Sequence, residues 1–118
     1  KNLPKFNMQP QFDLVILGLG DDGHTASIFP NQINLWNSKA YCEVAEHPET
    51  GQKRVTLTGN IINNAKEVAF LVTGENKAQK VFEIIDRKGN YNTYPASLVE
   101  PGSGGLNWFL DADAAKFL

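Results

Sequence analysis

The chain has 118 residues, a length that fits one domain with a modest hydrophobic core. Its formal net charge of −2 leaves no excess of basic residues to bind the phosphates of nucleic acid, and its apolar runs are far shorter than the roughly 20 residues of a membrane span. We therefore expect no nucleic-acid partner and no membrane partner. Cys42 is the only cysteine, so no disulfide can form within the chain, which fits a cytoplasmic location.

Predicted strands and helices alternate along the whole chain. In chain order, they are a strand at residues 12–17, a glycine-rich turn at 18–23, a short helix at 24–29, strands at 41–45 and 54–58, a short helix at 61–65, a strand at 68–72, a helix at 75–86, a strand at 106–110 and a terminal helix at 112–117. This alternation predicts an α/β fold with a mainly parallel sheet and flanking helices. Because no linker or repeat divides the chain, residues 1–118 form a single predicted domain.

For some of these elements the sequence also predicts which residues are buried or cap a helix. The nearly continuous apolar run at residues 12–17 is typical of a parallel strand covered on both faces. The helix at 75–86 has its apolar residues mainly on one face and Glu83 among the polar ones. Thr58 and Asp111 are expected to cap the helices that follow them. Cys42, in a predicted strand, is expected to be partly buried and inert.

The glycine-rich turn is the candidate functional site. It follows a strand, and open α/β sheets bind ligands at the carboxyl ends of their strands. Gly20 and Gly23 allow the backbone to approach a substrate closely. His24 can take a proton from water near neutral pH, and Asp22 can fix its tautomer or hold a substrate hydroxyl. The pattern alone leaves a purely structural turn with a packed histidine equally open.

Two other functions fit the sequence less well. The turn also fits G-x-G-x-x-G, and Glu43 lies where a dinucleotide-binding domain would place a ribose-binding acid. Against this, Asp21 and Asp22 would put two negative charges beside a pyrophosphate. Ser103 does not lie in a G-x-S-x-G motif, which disfavours a serine hydrolase. No group of residues has metal-ligand spacing, so neither a metal nor a cofactor is expected.

Residues 13–30, which read DLVILGLGDDGHTASIFP, closely resemble the signature of the 6-phosphogluconolactonase family. Further segments resemble the same family in the same order: RVTLT at 54–58, GENKA at 74–78, YPAS at 94–97 and WFLD at 108–111. The resemblance implies hydrolysis of 6-phospho-D-glucono-1,5-lactone to 6-phosphogluconate in the pentose phosphate pathway. It also implies the Rossmann-like half of a fold shared with glucosamine-6-phosphate deaminases and ribose-5-phosphate isomerases.

The resemblance also implies roles for individual residues. His24 would be the general base that activates water, and Asp22 would orient it or the substrate. Arg54 and Lys77 match family positions near the substrate phosphate, although by themselves they are ordinary surface cations. Deaminases resemble this signature but carry a glutamate before the proline, where this chain has Phe29. A phenyl ring cannot transfer protons, so deamination is disfavoured.

The same resemblance implies that part of the substrate site is absent. The family's phosphate-cradling loop and an acidic-arginine segment precede the signature, and only 12 residues precede Asp13 here. We therefore expect the carboxy-terminal part of a larger lactonase domain, weakly active or inactive by itself. We also expect it to associate with itself or with a missing amino-terminal half. A non-catalytic module that binds a sugar phosphate or a dinucleotide remains the alternative.

Overall fold

Parallel strands form the centre of the fold in the computed structural model, which describes residues 3–118. In chain order, the strands and α-helices are β1 (Lys5–Phe6), β2 (Gln9–Pro10), β3 (Leu14–Leu17), β4 (Cys42–Glu46), β5 (Lys53–Leu57), α1 (Gly59–Ile62), β6 (Glu67–Val72), α2 (Ala78–Asp86) and β7 (Leu106–Leu110). Short 3-10 helices lie at Pro30–Asn37, Glu75–Lys77, Tyr91–Thr93 and Pro95–Leu98. The predicted order of elements is largely confirmed.

The central sheet has the strand order β3-β6-β7, and both of its pairings are parallel. Val15 pairs with Val68 across β3 and β6, and Phe70 pairs with Trp108 across β6 and β7. Strands β4 and β5 form a separate antiparallel hairpin, and β1 pairs with β2 in a two-residue ribbon. The α/β class with a mainly parallel sheet is therefore confirmed.

One face of the central sheet carries the hydrophobic core. Its buried strand residues are Val15, Leu17, Val68, Phe70 and Val72. They belong to one core cluster with Val81 and Ile84 of α2, which lies on this face because its apolar positions repeat at helical spacing. The rings of Phe70 and Trp108 stack with centroids 4.0 Å apart. Packing on this face fixes where the strand ends lie relative to α2.

The opposite face of the same sheet is open. Leu14, Ile16, Leu71 and Phe109 point away from the core, and each is more than half exposed. The prediction that the first long strand is covered on both faces is therefore wrong for residues 3–118. The alternation of buried and exposed residues along β3 leaves an apolar surface that parallel sheets usually bury.

Two predicted helices do not form. Ala26 has a left-handed backbone with φ of +51°, and Thr25 and Ile28 form an antiparallel bridge, so residues 24–29 make a tight turn. Residues 112–117 form successive turns. The predicted cap is nevertheless present there, because the Asp111 carboxylate accepts a hydrogen bond from the Ala114 amide at 2.8 Å.

Other local expectations need correction. Thr58 lies at the N-cap position of α1, but its hydroxyl donates to the Ala40 carbonyl at 2.7 Å and does not cap the helix. Glu83 is buried on α2, because Tyr94 supplies a hydrogen-bond donor inside the core. Cys42 is exposed, since it lies on the outer side of the β4–β5 hairpin, where Ala45 is the buried residue of its strand.

Phe70 tests the packing of the covered face. It is fully buried at the centre of the sheet, so Phe70→Ala should lower the free energy of unfolding by about 3–5 kcal/mol. The matched change Phe117→Ala removes a ring that is 48% exposed and should cost about 1 kcal/mol or less. Urea unfolding followed by circular dichroism measures both. Equal losses in the two variants would contradict this description of the core.

Candidate active site

The loop that follows β3 is closed by its own backbone. The Gly23 amide donates to the Gly20 carbonyl at 3.0 Å, and the Gly20 amide donates to the His24 carbonyl at 2.8 Å. Gly23 has φ of +88°, a left-handed conformation that a residue with a Cβ rarely adopts. The Thr25 hydroxyl adds a hydrogen bond to the Gly18 carbonyl at 2.8 Å. These contacts hold His24 above the carboxyl end of the strand.

Asp22 and His24 form the central contact of the site. Asp22 Oδ1 lies 2.6 Å from His24 Nδ1 and also accepts the His24 backbone amide at 3.0 Å. An ionised carboxylate can only accept hydrogen bonds, so in the neutral imidazole the proton is on Nδ1. Nε2 then carries a lone pair, and it has no hydrogen-bond partner within residues 3–118. This is the arrangement that a general base needs.

The contact with His24 lowers the pKa of the Asp22 carboxyl. Partial burial acts to raise the pKa, but the hydrogen bonds from the His24 ring and backbone amide outweigh it, and the pKa falls below its ordinary value. Asp22 is thus ionised at neutral pH. Because the folded-state pKa is lowered, the stabilisation is present above the ordinary carboxyl pKa and is lost as the pH falls through the lowered value.

Phe29 forms the wall behind His24. It is fully buried, and its ring centroid lies 4.4 Å from that of His24. The His47 ring meets the same phenyl ring edge-on at 5.2 Å, and the guanidinium carbon of Arg54 lies 5.9 Å from its centroid. Arg54 also donates to the Gln52 side chain at 3.1 Å. The β4–β5 hairpin therefore contacts the loop through Phe29.

Lys77 faces His24 across an open cleft of about 520 Å³. Its ammonium donates to the Leu19 carbonyl and lies 3.4 Å from Asp21 Oδ1. Asn76 donates to the same carboxylate oxygen at 2.9 Å. The cleft thus has a cation on one wall and an imidazole on the other. In the sequence analysis, Asp21 was considered only as a negative charge that disfavours a pyrophosphate. In the structure its contacts with Asn76 and Lys77 join the loop to the residues just before α2.

The structure distributes the sequence-predicted site residues over three places. Gly20, His24 and Lys77 line the cleft, and Asp22 is bound to His24. Gly23 is buried, and the Tyr94 ring fills the space beside its Cα. Arg54 does not line the cleft. It lies against the ring of Phe29, which in turn packs against His24. The sequence analysis missed Phe29 as a ring that packs against His24, although its position beside Pro30 in the signature was the available signal.

The loop is not built to hold a pyrophosphate. The amides of Gly20, Gly23 and His24 all donate within the loop itself. In a dinucleotide-binding turn such amides, with the first turn of the next helix, receive the phosphate oxygens. Here the residues after Gly23 form a turn, so that helix is lacking in this part of the chain. The geometry disfavours the dinucleotide-binding alternative.

Two kinds of feature are absent from residues 3–118. They contain no group of three or more His, Cys, Asp or Glu side chains placed to hold a metal ion. They also contain no helix that is long and apolar enough to cross a membrane.

Gly20 tests the packing of the loop. A Cβ at position 20 would lie 2.1 Å from the His24 ring, so Gly20→Ala should displace the ring and raise the pKa of Asp22 toward its ordinary value. Gly18→Ala is the matched control, since no heavy atom lies within 4 Å of its Cβ position. Carboxyl NMR titration measures the pKa in both variants. An unchanged Asp22 pKa in Gly20→Ala would contradict the proposed packing.

Known proteins share this sequence and fold. The family model described as glucosamine-6-phosphate isomerases/6-phosphogluconolactonase matches residues 1–108. A 6-phosphogluconolactonase from Aggregatibacter actinomycetemcomitans is 44% identical over 107 residues, which cover 91% of this chain and 46% of that protein. A human 6-phosphogluconolactonase is also 44% identical, over 92% of this chain and 42% of its own length.

A solved structure agrees with these matches. The 6-phosphogluconolactonase from Trypanosoma brucei superposes with a TM-score of 0.81 at 35% identity, covering 93% of this chain and 43% of that one. The chain thus spans about half the length of the relatives it matches. On the family match and these similarities, the chain belongs to the glucosamine-6-phosphate isomerase/6-phosphogluconolactonase family.

Proposed function

We propose that this chain carries the catalytic loop of an enzyme that hydrolyses 6-phospho-D-glucono-1,5-lactone to 6-phosphogluconate. The observation that carries the proposal is the Asp22–His24 contact, which leaves Nε2 of the histidine without a partner among the described residues beside an open cleft. The relatives named 6-phosphogluconolactonase support the choice of substrate. We place the reaction in the cytoplasm, where the exposed thiol of Cys42 stays reduced.

In the proposed reaction, His24 Nε2 takes a proton from water as the water oxygen attacks the lactone carbonyl carbon. The tetrahedral intermediate then collapses, and the bond between that carbon and the ring oxygen breaks. The imidazolium returns its proton to the departing ring oxygen, which becomes the product hydroxyl. Asp22 holds the Nδ1 proton throughout and stabilises the imidazolium by its negative charge.

Lys77 is the proposed contact for the substrate phosphate inside the cleft. Its side chain is only 20% exposed and its ammonium is held near Asp21, so the cation is positioned before a ligand arrives. A dianionic phosphate would compete with the Asp21 carboxylate for this cation. Arg54 is the second proposed phosphate contact. Its place against Phe29 puts it near His24 but outside the cleft, so it acts from the hairpin side.

Phe29 supports hydrolysis over deamination. Its ring contacts that of His24 at a tilt of 41°, at the position where a proton-transferring glutamate would be required. The phenyl ring has no titratable group, and it shields one side of the imidazole from water. The local environment of His24 therefore favours a single base acting on water. A non-catalytic sugar-phosphate module would use the same cleft and would not need the histidine.

His24→Asn tests the proposed base. A general base contributes about 10²- to 10⁴-fold to a rate, so the variant should lose turnover of fresh lactone by that factor, measured after subtraction of spontaneous hydrolysis. The assay uses the complete open reading frame that encodes residues 1–118. His47→Asn is the matched control, because His47 contacts Phe29 and does not line the cleft. It should keep turnover within about threefold.

Two results would contradict the proposal. Turnover by the parent that matches the spontaneous rate would reject the lactonase proposal. Turnover that survives in His24→Asn would show that another group acts as the base and would reject the role proposed for His24. Residues 1–118 assayed alone should turn over more slowly than the complete polypeptide, because substrate positioning supplies much of catalysis.

We further propose that a second copy of residues 1–118 covers the open face of the sheet when this chain is alone in solution. Four apolar side chains on that face are each more than half exposed, and a net charge of −2 gives weak repulsion between copies. Strand β3 also presents a free edge within the described sheet. In the longer relatives, additional polypeptide is available for this role.

The double variant Leu71→Ser/Phe109→Ser tests this association. It should shift the 118-residue chain from dimers or larger species to monomers in sedimentation velocity at tens of micromolar. Val44→Ser/Val55→Ser is the matched control, because these residues are a cross-strand pair exposed on the hairpin. It should associate as the parent does. A monomeric parent, or equal association of the two double variants, would reject the proposal.

A further inference from the structure

A buried polar pair lies behind the catalytic loop. Glu83 of α2 is 8% exposed and Tyr94 is 9% exposed, and the Tyr94 hydroxyl donates to Glu83 Oε2 at 3.0 Å. The same carboxylate accepts the Asn90 amide at 3.4 Å, and the Gln79 side-chain amide lies 3.4 Å from its other oxygen. Burying a carboxylate is costly unless it is fully hydrogen-bonded, so this pair fixes the tyrosine at a defined position.

The Tyr94 ring reaches from this anchor to the loop. A Cβ on Gly23 would lie 2.6–2.7 Å from Cβ, Cγ and Cδ1 of Tyr94, so the near edge of the ring is in direct contact with the glycine. The Ala96 amide, two residues further on, donates to the Gly23 carbonyl at 3.1 Å. The ammonium of Lys80 lies 5.0 Å from the centre of the Tyr94 ring. The segment after α2 thus holds Gly23 by a ring and by a backbone hydrogen bond.

Gly23 separates Asp22 from His24 in the chain. Any shift of its backbone would change the distance between their side chains, because the two residues are its direct neighbours. We propose that Tyr94, anchored by Glu83, is a positioning residue that keeps the Asp22–His24 pair in its working geometry. This inference rests on the proposed function, since it assigns the pair a task in catalysis. Tyr94 itself does not line the cleft and is not a catalytic residue.

The hydroxyl and the ring of Tyr94 have separable parts in this arrangement. The ring is the wall against Gly23, and the hydroxyl ties that wall to α2. Burial and the neighbouring Glu83 carboxylate raise the pKa of Tyr94, so its hydroxyl stays protonated and remains a donor. Loss of the hydroxyl leaves the ring beside Gly23 without its anchor. Replacement by leucine also removes the flat ring and leaves a smaller, freely rotating side chain beside the glycine.

Two substitutions at Tyr94 test the proposal in the complete polypeptide. Tyr94→Phe should lower kcat about three- to tenfold and Tyr94→Leu about 10- to 100-fold, with KM within about threefold, since small misplacements of reacting groups cost up to about 100-fold. The pKa of Asp22, measured by NMR, should rise in the same order as its contact with His24 loosens. Tyr91→Leu is the matched control on the adjacent 3-10 turn and should change neither quantity.

A second variant separates positioning from stability. Tyr94→Leu leaves the Glu83 carboxylate buried with fewer donors, so it also lowers stability. Tyr94→Leu/Glu83→Met removes that buried charge and should recover the unfolding midpoint, while kcat stays low and the Asp22 pKa stays raised. Recovery of both along with stability would overturn the proposal, as would an unchanged Asp22 pKa in every variant.

The two proposals can fail separately. If the parent does not hydrolyse the lactone, the proposed function fails, and the Asp22 pKa alone then decides whether Tyr94 positions the pair. If the parent is active and neither kcat nor the Asp22 pKa responds to Tyr94→Leu, the positioning role fails while the function stands.

Discussion

The packing of the His24 ring over Gly20 is the constraint on which the candidate site depends. Any Cβ at position 20 would overlap the imidazole, so the ring can occupy its place only above a glycine. The Gly20 amide and carbonyl are also the hydrogen-bond partners that close the loop at His24 and Gly23. One residue therefore sets both the loop conformation and the position of the histidine. The contact with Asp22 then follows from the two-residue spacing.

Three neighbouring segments hold this loop from outside. Asn76 and Lys77, just before α2, bind Asp21 of the loop, and Tyr94, after the same helix, packs on Gly23. The β4–β5 hairpin contacts Phe29 through His47 and Arg54. All of these contacts meet beyond the carboxyl end of β3, where open α/β sheets place their sites. The core on one face of the sheet thus carries the elements that hold this loop in place.

The strands and the contact between Asp22 and His24 were easier to predict from the sequence than the turns and the buried polar groups. Apolar and β-branched runs identify strands whatever their surroundings, and the spacing of Asp22 and His24 is a local feature. The turn at Ala26 has no local signal, because alanine favours a helix and its left-handed backbone is imposed by the surrounding loop. The sequence predicts an exposed Glu83, because its hydrogen-bond donor Tyr94 comes close to it only in the folded chain. The separation of Arg54 from the cleft by Phe29 likewise depends on tertiary packing.

The tautomer of His24 decides whether its Nε2 can act as the base. Nitrogen-15 NMR of the imidazole at a pH where it is neutral distinguishes a proton on Nδ1 from a proton on Nε2. We expect the Nδ1–H tautomer, because Asp22 can only accept the hydrogen bond at 2.6 Å, and Nε2 must be free to take a proton from water. A neutral imidazole with its proton on Nε2 would rule out the proposed mechanism, since that nitrogen could not then act as the base.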